Sequence, residues 1–139
     1  MAEFKLVIGT KSGKCVQREI KEADANSFLG KKIGQSIAGE SFGLSGYEFL
    51  ITGGSDNCGF PMRQDLEGST RRKIFVVAGS SVGLKKKKKS KGCRIKKSVA
   101  GNTVFEKTAQ INLKLLKGDE KALLAPAEEK PAEGEEKKE

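Results

Sequence analysis

Residues Thr108–Leu116 read TAQINLKLL, and their alternation decides the fold class. Ala109, Ile111, Leu113 and Leu115 fall on one side, and Gln110, Asn112 and Lys114 on the other. A period of two with one apolar side is the pattern of a half-buried antiparallel strand. Similar patterns recur upstream. Phe4–Gly9 is apolar and β-prone, and Cys15–Ile20 alternates, with Val16 and Ile20 facing one way and Gln17 and Glu19 the other. Joined by TKSGK, these two runs predict a β-hairpin.

Gln35–Ala38 is a short strand candidate, and Tyr47–Thr52 (YEFLIT) a stronger one bounded by Gly46 and Gly53. Lys73–Ala78 (KIFVVA) reads as a buried strand, and Gly92–Val99 alternates again. Between these runs, DANSFLGKK offers Asp24 as an N-cap and Phe28 and Leu29 as apolar anchors. Gly30 and Gly34 keep any helix there short. No internal repeat of solenoid length is present. About seven short strands with glycine turns predict an all-β, mainly antiparallel, small β-barrel-like body with at most one or two short helices. Beyond Lys117 the composition shifts to Ala, Glu, Lys and Pro. The expected organisation is a domain over residues 1–117, with a basic extension at 83–97, and an acidic, disordered tail over 118–139, in which local docking of Leu123 and Leu124 is the less favoured alternative.

The 139 residues carry a net charge of +9, unevenly placed. The stretch Pro61–Lys97 holds 13 basic residues against Asp65 and Glu67 alone. Five consecutive lysines, Lys85, Lys86, Lys87, Lys88 and Lys89, repel one another, and a free fold has no use for them. A polyanion relieves that repulsion, because each neutralised phosphate releases condensed counterions. Arg63, Arg71, Arg72, Lys73, Lys91, Arg94, Lys96 and Lys97 complete the candidate RNA-contacting set, and guanidinium forks suit phosphate oxygens. A solvated lysine loop or a membrane-surface patch is the competing interpretation. Aromatics are scarce here, with Phe75 inside the region and Phe60 just before it. That pattern favours recognition of backbone and shape, as in folded RNA, over stacked single strands.

The stretch Gly53–Phe60, GGSDNCGF, looks reactive. A phosphate loop would continue with Lys and Ser or Thr, whereas Phe60 and Pro61 follow. The chain has no His, so no Cys–His or Ser–His relay can be built. Asp56 beside Cys58 would raise the thiol pKa and suppress the thiolate. The residues fit a rigid turn instead: positive φ at Gly53–Gly54, an Asx closure by Asp56 or Asn57, a second bend at Gly59, and Arg63 directed at a partner. Cys15, Cys58 and Cys93 form no C-x-x-C pair and read as reduced, partly buried thiols. No catalytic residue, metal site or cofactor is expected. No segment spans a membrane or resembles a secretory leader, so the expected compartment is the cytoplasm.

GYEFLITGGSDNCGFPMR (Gly46–Arg63), KKSVAGNTV (Lys96–Val104), AQINLKLLKG (Ala109–Gly118) and KKIGQSIAGESFGLSGY (Lys31–Tyr47) together resemble the archaeal and eukaryotic small-subunit ribosomal protein family S-six-e. The resemblance covers roughly residues 3 to 118. It implies a barrel-like body bound to small-subunit ribosomal RNA, beside neighbouring small-subunit proteins, without enzymatic activity or small-molecule substrate. Ala100 departs from the family pattern, where a basic residue is common, and this implies one RNA contact fewer. The long basic C-terminal helix of eukaryotic members has no counterpart, so the chain resembles the archaeal short form. The expected function is a structural constituent of the small ribosomal subunit. The alternative is a free-standing basic β-barrel that binds RNA or DNA, for instance as an RNA chaperone.

Overall fold

The computed structural model describes residues 3–21, 23–77 and 94–124. The strands are β1 (Glu3–Gly9), β2 (Cys15–Lys21), β3 (Ser36–Ala38), β4 (Glu48–Asp56), β5 (Arg72–Val77), β6 (Arg94–Val99) and β7 (Thr108–Lys117). Two short helices, α1 (Ala23–Asn26) and α2 (Glu120–Leu124), and one 3-10 turn (Gly39–Phe42) complete the described elements. Five strands form one curled sheet in the order β2-β1-β7-β4-β3, and β5 pairs with β6 in a separate two-stranded ribbon. The fold is therefore mostly β with short helices, as the alternation predicts.

The sheet buries one face. Phe4, Leu6 and Ile8 of β1, Phe49 and Ile51 of β4, and Ile111, Leu113 and Leu115 of β7 are all sequestered. Phe28 and Phe42 close the cluster, with ring centroids 5.5 Å apart, and Phe42 lies 5.4 Å from Phe49. Fully burying each such side chain contributes about 1.5–3 kcal/mol. The expected hairpin forms, with Gly9 opposite Cys15 and Phe4 opposite Ile20.

The structure departs from expectation in several places. β7 is antiparallel to β4 but parallel to β1, with Leu6 opposite Ile111 and Ile8 opposite Leu113. A parallel pair needs a long crossover, and here nearly the whole chain supplies it. KIFVVA is not a buried strand. Val76 is buried, but Phe75 is 69% exposed and Val77 40%. Asp24 lies in the first turn of α1, not before it. Cys15 and Cys58 are exposed, one on an edge strand and one in a turn, while Cys93 lies outside the described residues. Order continues past Lys117, where α2 carries Leu123 into the core at 2% exposure. Residues 125–139, most of the expected tail, and residues 78–93, which hold Lys85–Lys89 and Lys91, lie outside the described residues.

β4 also runs further than expected. It continues through Gly53 and Gly54 to Asp56, with register shifts between Ile51 and Gly53 and between Ser55 and Asp56. Each irregularity adds local twist and helps curl the sheet. Neither Gly53 nor Gly54 has positive φ. Gly54 is required for another reason: a Cβ there would collide with the Gln110 carbonyl oxygen of β7 and press on Met62 Sδ at 3.0 Å. At Gly53 a Cβ would meet nothing within 4 Å. Gly54→Ala is therefore expected to destabilise by about 1–3 kcal/mol through overpacking against backbone. Gly53→Ala should be neutral or stabilise by up to about 1 kcal/mol, through lost freedom of the unfolded chain. Urea denaturation of the two variants beside the parent checks the contrast.

Candidate nucleic-acid interface

At the end of β4 the chain turns around one carboxylate. Asp56 is 2% exposed, and its Oδ1 accepts the Cys58 and Phe60 amides at 2.9 and 3.1 Å. Gly59, at φ 79°, completes the bend, and its amide donates to the Asp56 carbonyl at 2.9 Å. The expected Asx closure is thus made by Asp56. Its other oxygen, Oδ2, accepts Arg71 Nε at 2.5 Å, and Arg71 Nη2 donates to Asn57 Oδ1 at 3.1 Å. The guanidinium also lies 5.2 Å from the Phe60 ring centroid. Burial pushes the Asp56 carboxyl up, but the Phe60 amide, Arg71 and the Cys58 amide outweigh it, and the net shift is below the ordinary carboxylate value.

From this turn, Pro61–Gly68 is laced to the segment that follows β6. The Ala100 amide donates to Pro61 at 2.9 Å, Arg63 to Ala100 at 3.2 Å, and Asn102 to Leu66 at 2.8 Å. These bonds fix the base of the β5–β6 ribbon. Arg72 and Lys73 of β5 and Arg94, Lys96 and Lys97 of β6 are all exposed, and neither strand contains an acidic residue. Among the described residues no carboxylate pairs with any of the five. Arg63 differs, since Nε and Nη2 fork onto Asp65 at 2.8 and 2.5 Å. Among the described residues no group of three or more His, Cys, Asp or Glu is placed to hold a metal, and no helix is long and apolar enough to cross a membrane.

Comparison with known proteins matches residues 4–127 to the family described as ribosomal protein S6e. The chain belongs to that family. It is similar to the small ribosomal subunit protein eS6 of Nitrosopumilus maritimus, at 42% identity over 100% of this chain and 97% of the relative. The protein of the same name from Nanoarchaeum equitans is 43% identical over 84% of this chain and 82% of its own length. That of Methanocaldococcus jannaschii is 42% identical over 85% of each. Members of the S6e family are structural ribosomal proteins, not enzymes. The match extends past Gly118, beyond the span that the sequence blocks suggest.

In this S6e chain the blocks Gly46–Arg63 and Lys96–Val104 meet through the Pro61–Ala100 and Arg63–Ala100 bonds. Ala100 is 1% exposed, so position 100 faces protein here and not open solvent. Of the sequence-selected cations, the structure brings Arg72, Lys73, Arg94, Lys96 and Lys97 onto one ribbon. It draws Arg63 into a surface pair with Asp65 and Arg71 onto the buried Asp56 carboxylate. The role of Arg71 was hidden because its partner lies 15 residues away; the available signal was a turn carboxylate with no local cation.

Folding depresses the pKa of Asp56, so its stabilisation is complete above the unfolded value of about 3.9 and is lost as pH falls through the lower folded value. Asp56→Ala removes a buried acceptor and leaves three donors without it. It is expected to cost about 2–4 kcal/mol at neutral pH. Asp56→Asn should cost less and flatten the loss of stability as pH falls below about 4. Thermal melts across that range check both.

Proposed function

We propose that the protein is a structural constituent of the small (30S) ribosomal subunit that binds and stabilises small-subunit ribosomal RNA in the cytoplasm, beside neighbouring small-subunit proteins. The observation that carries this is the β5–β6 ribbon, with five exposed cations and no acid on either strand. Arg72, Lys73, Arg94, Lys96 and Lys97 take phosphates directly. Lys85–Lys89 and Lys91, which fall between the two strands in sequence, extend the same cationic run. Arg63 and Arg71 brace the ribbon more than they bind. Family membership and the small-subunit names of the archaeal relatives support this assignment. Phosphate contacts position a protein without reading sequence, which suits a scaffold for one folded RNA.

Six or more phosphate contacts should weaken binding of the full chain to small-subunit ribosomal RNA by about a thousandfold between 50 and 200 mM salt. Replacing Lys73 or Lys97 with Gln should lower the salt slope by about 1 each and leave the melting temperature unchanged. A slope near zero removes the mechanism. Failure to sediment with small subunits at low salt points instead to a free-standing RNA-binding protein.

A further inference from the structure

The register of the ribbon sorts its residues onto two faces. Phe75 lies opposite Lys96, Lys73 opposite Ser98, and Val77 opposite Arg94. Opposed residues in an antiparallel pair share a face, and so do residues two apart on one strand. Phe75 therefore stands at the centre of a face with Lys73, Lys96 and Arg94 around it. The opposite face takes Ile74, Val76, Ile95 and Val99 together with Arg72 and Lys97, and of these Val76 and Val99 are buried at 6% and 5% exposure.

Phe75 is the most exposed large apolar side chain among the described residues, at 69%. A single exposed apolar residue needs no explanation by itself. Its surroundings do. Three cations share its face, no carboxylate among the described residues offsets them, and Lys96 Nζ lies 5.5 Å from the ring centroid. An ordinary protein partner would have to desolvate those charges to reach the ring. A nucleotide meets both demands, because its base offers a π-face and its phosphates offer negative charge.

We infer that Phe75 is a stacking platform for an unpaired nucleotide of the bound RNA, with Lys73, Lys96 and Arg94 holding the adjoining phosphates. Lys73 lies one same-face step, about 7 Å, along β5 from the ring. Lys96 lies directly across on β6. An exposed cation–π contact is weak, so Lys96 exchanges the ring for a phosphate as the base arrives. The inference rests on the RNA-binding function proposed above and adds to it a preference for a looped-out or bulged base over a continuous helix.

The test compares full-length protein binding to a blunt RNA duplex and to the same duplex carrying an unpaired bulge. The parent is expected to prefer the bulged RNA. Phe75→Ala should lose about 5- to 150-fold on the bulged RNA, the range that one base–aromatic stack supplies, with little change on the duplex or in the salt slope. Since the chain has no Trp, Phe75→Trp introduces a unique indole. It should retain the preference, and its fluorescence should be quenched by the bulged RNA. A steep salt slope with no preference, or equal losses of Phe75→Ala on both RNAs, overturns the stacking role and leaves RNA binding intact. A flat slope on both RNAs removes RNA binding and the stacking role with it. Quenching that requires other small-subunit proteins and not RNA also overturns the inference, and assigns the ring to a protein neighbour.

Discussion

A single buried carboxylate, Asp56, joins the two halves of this molecule. It ends β4, the strand that sits between β3 and β7, and it grips Arg71, the residue just before β5. An ionised carboxylate at 2% exposure would cost several kcal/mol if it were unpaired. Two amides and one guanidinium supply the missing partners, and each comes from the turn or from the approach to the ribbon. Satisfying the charge and aiming the ribbon are thus one event. Phe60 adds to it by placing an aromatic face under the same guanidinium.

What Asp56 positions is a structure that burial alone supports weakly. A two-stranded ribbon is marginal in water, and this one buries Val76 and Val99 outside the main core cluster. It also carries five exposed cations and no acid. Like charges across and along a ribbon raise its free energy, and that strain is relieved by a polyanion. The Pro61–Gly68 lacing to residues 100–103 compensates at the base, through backbone hydrogen bonds that are indifferent to salt and charge. The ribbon is therefore anchored at its base, while its five cations find no carboxylate among the described residues.

Alternation made the core sheet legible. In β1, β4 and β7 one face is buried and the other wet, so the period of two is written into the residue types. Two features escaped it. The glycines of Gly53–Gly54 resemble a turn because glycine marks turns in sequence, whereas here Gly54 lets the Gln110 carbonyl approach within a continuing strand. KIFVVA resembles a core strand because local hydrophobicity cannot tell burial under a sheet from exposure on a ribbon; the paired strand decides that, and β6 offers cations. The parallel β1–β7 pairing and the docking of Leu123 are non-local, and no window of the sequence contains them. The candidate cations were legible as a charge run, but their division into braces and free charges depends on where Asp56 and Asp65 fall in space.

That division bears on what a family signature marks. The most distinctive block, Gly46–Arg63, contains the residues that look most reactive, and their chemistry is spent within the fold: Asp56 on the turn and on Arg71, Gly54 on β7, Arg63 on Asp65. The cations of β5 and β6, which no described carboxylate pairs, lie outside it at exposed positions. A joint tolerates few substitutions because backbone approach and buried charge are exacting. A phosphate-facing surface tolerates many, because counterion release counts charges and not their identities. In a protein of this kind the strongest sequence signal therefore marks the hinge of the architecture. The binding surface proposed above is found by asking which charges the architecture leaves unspent.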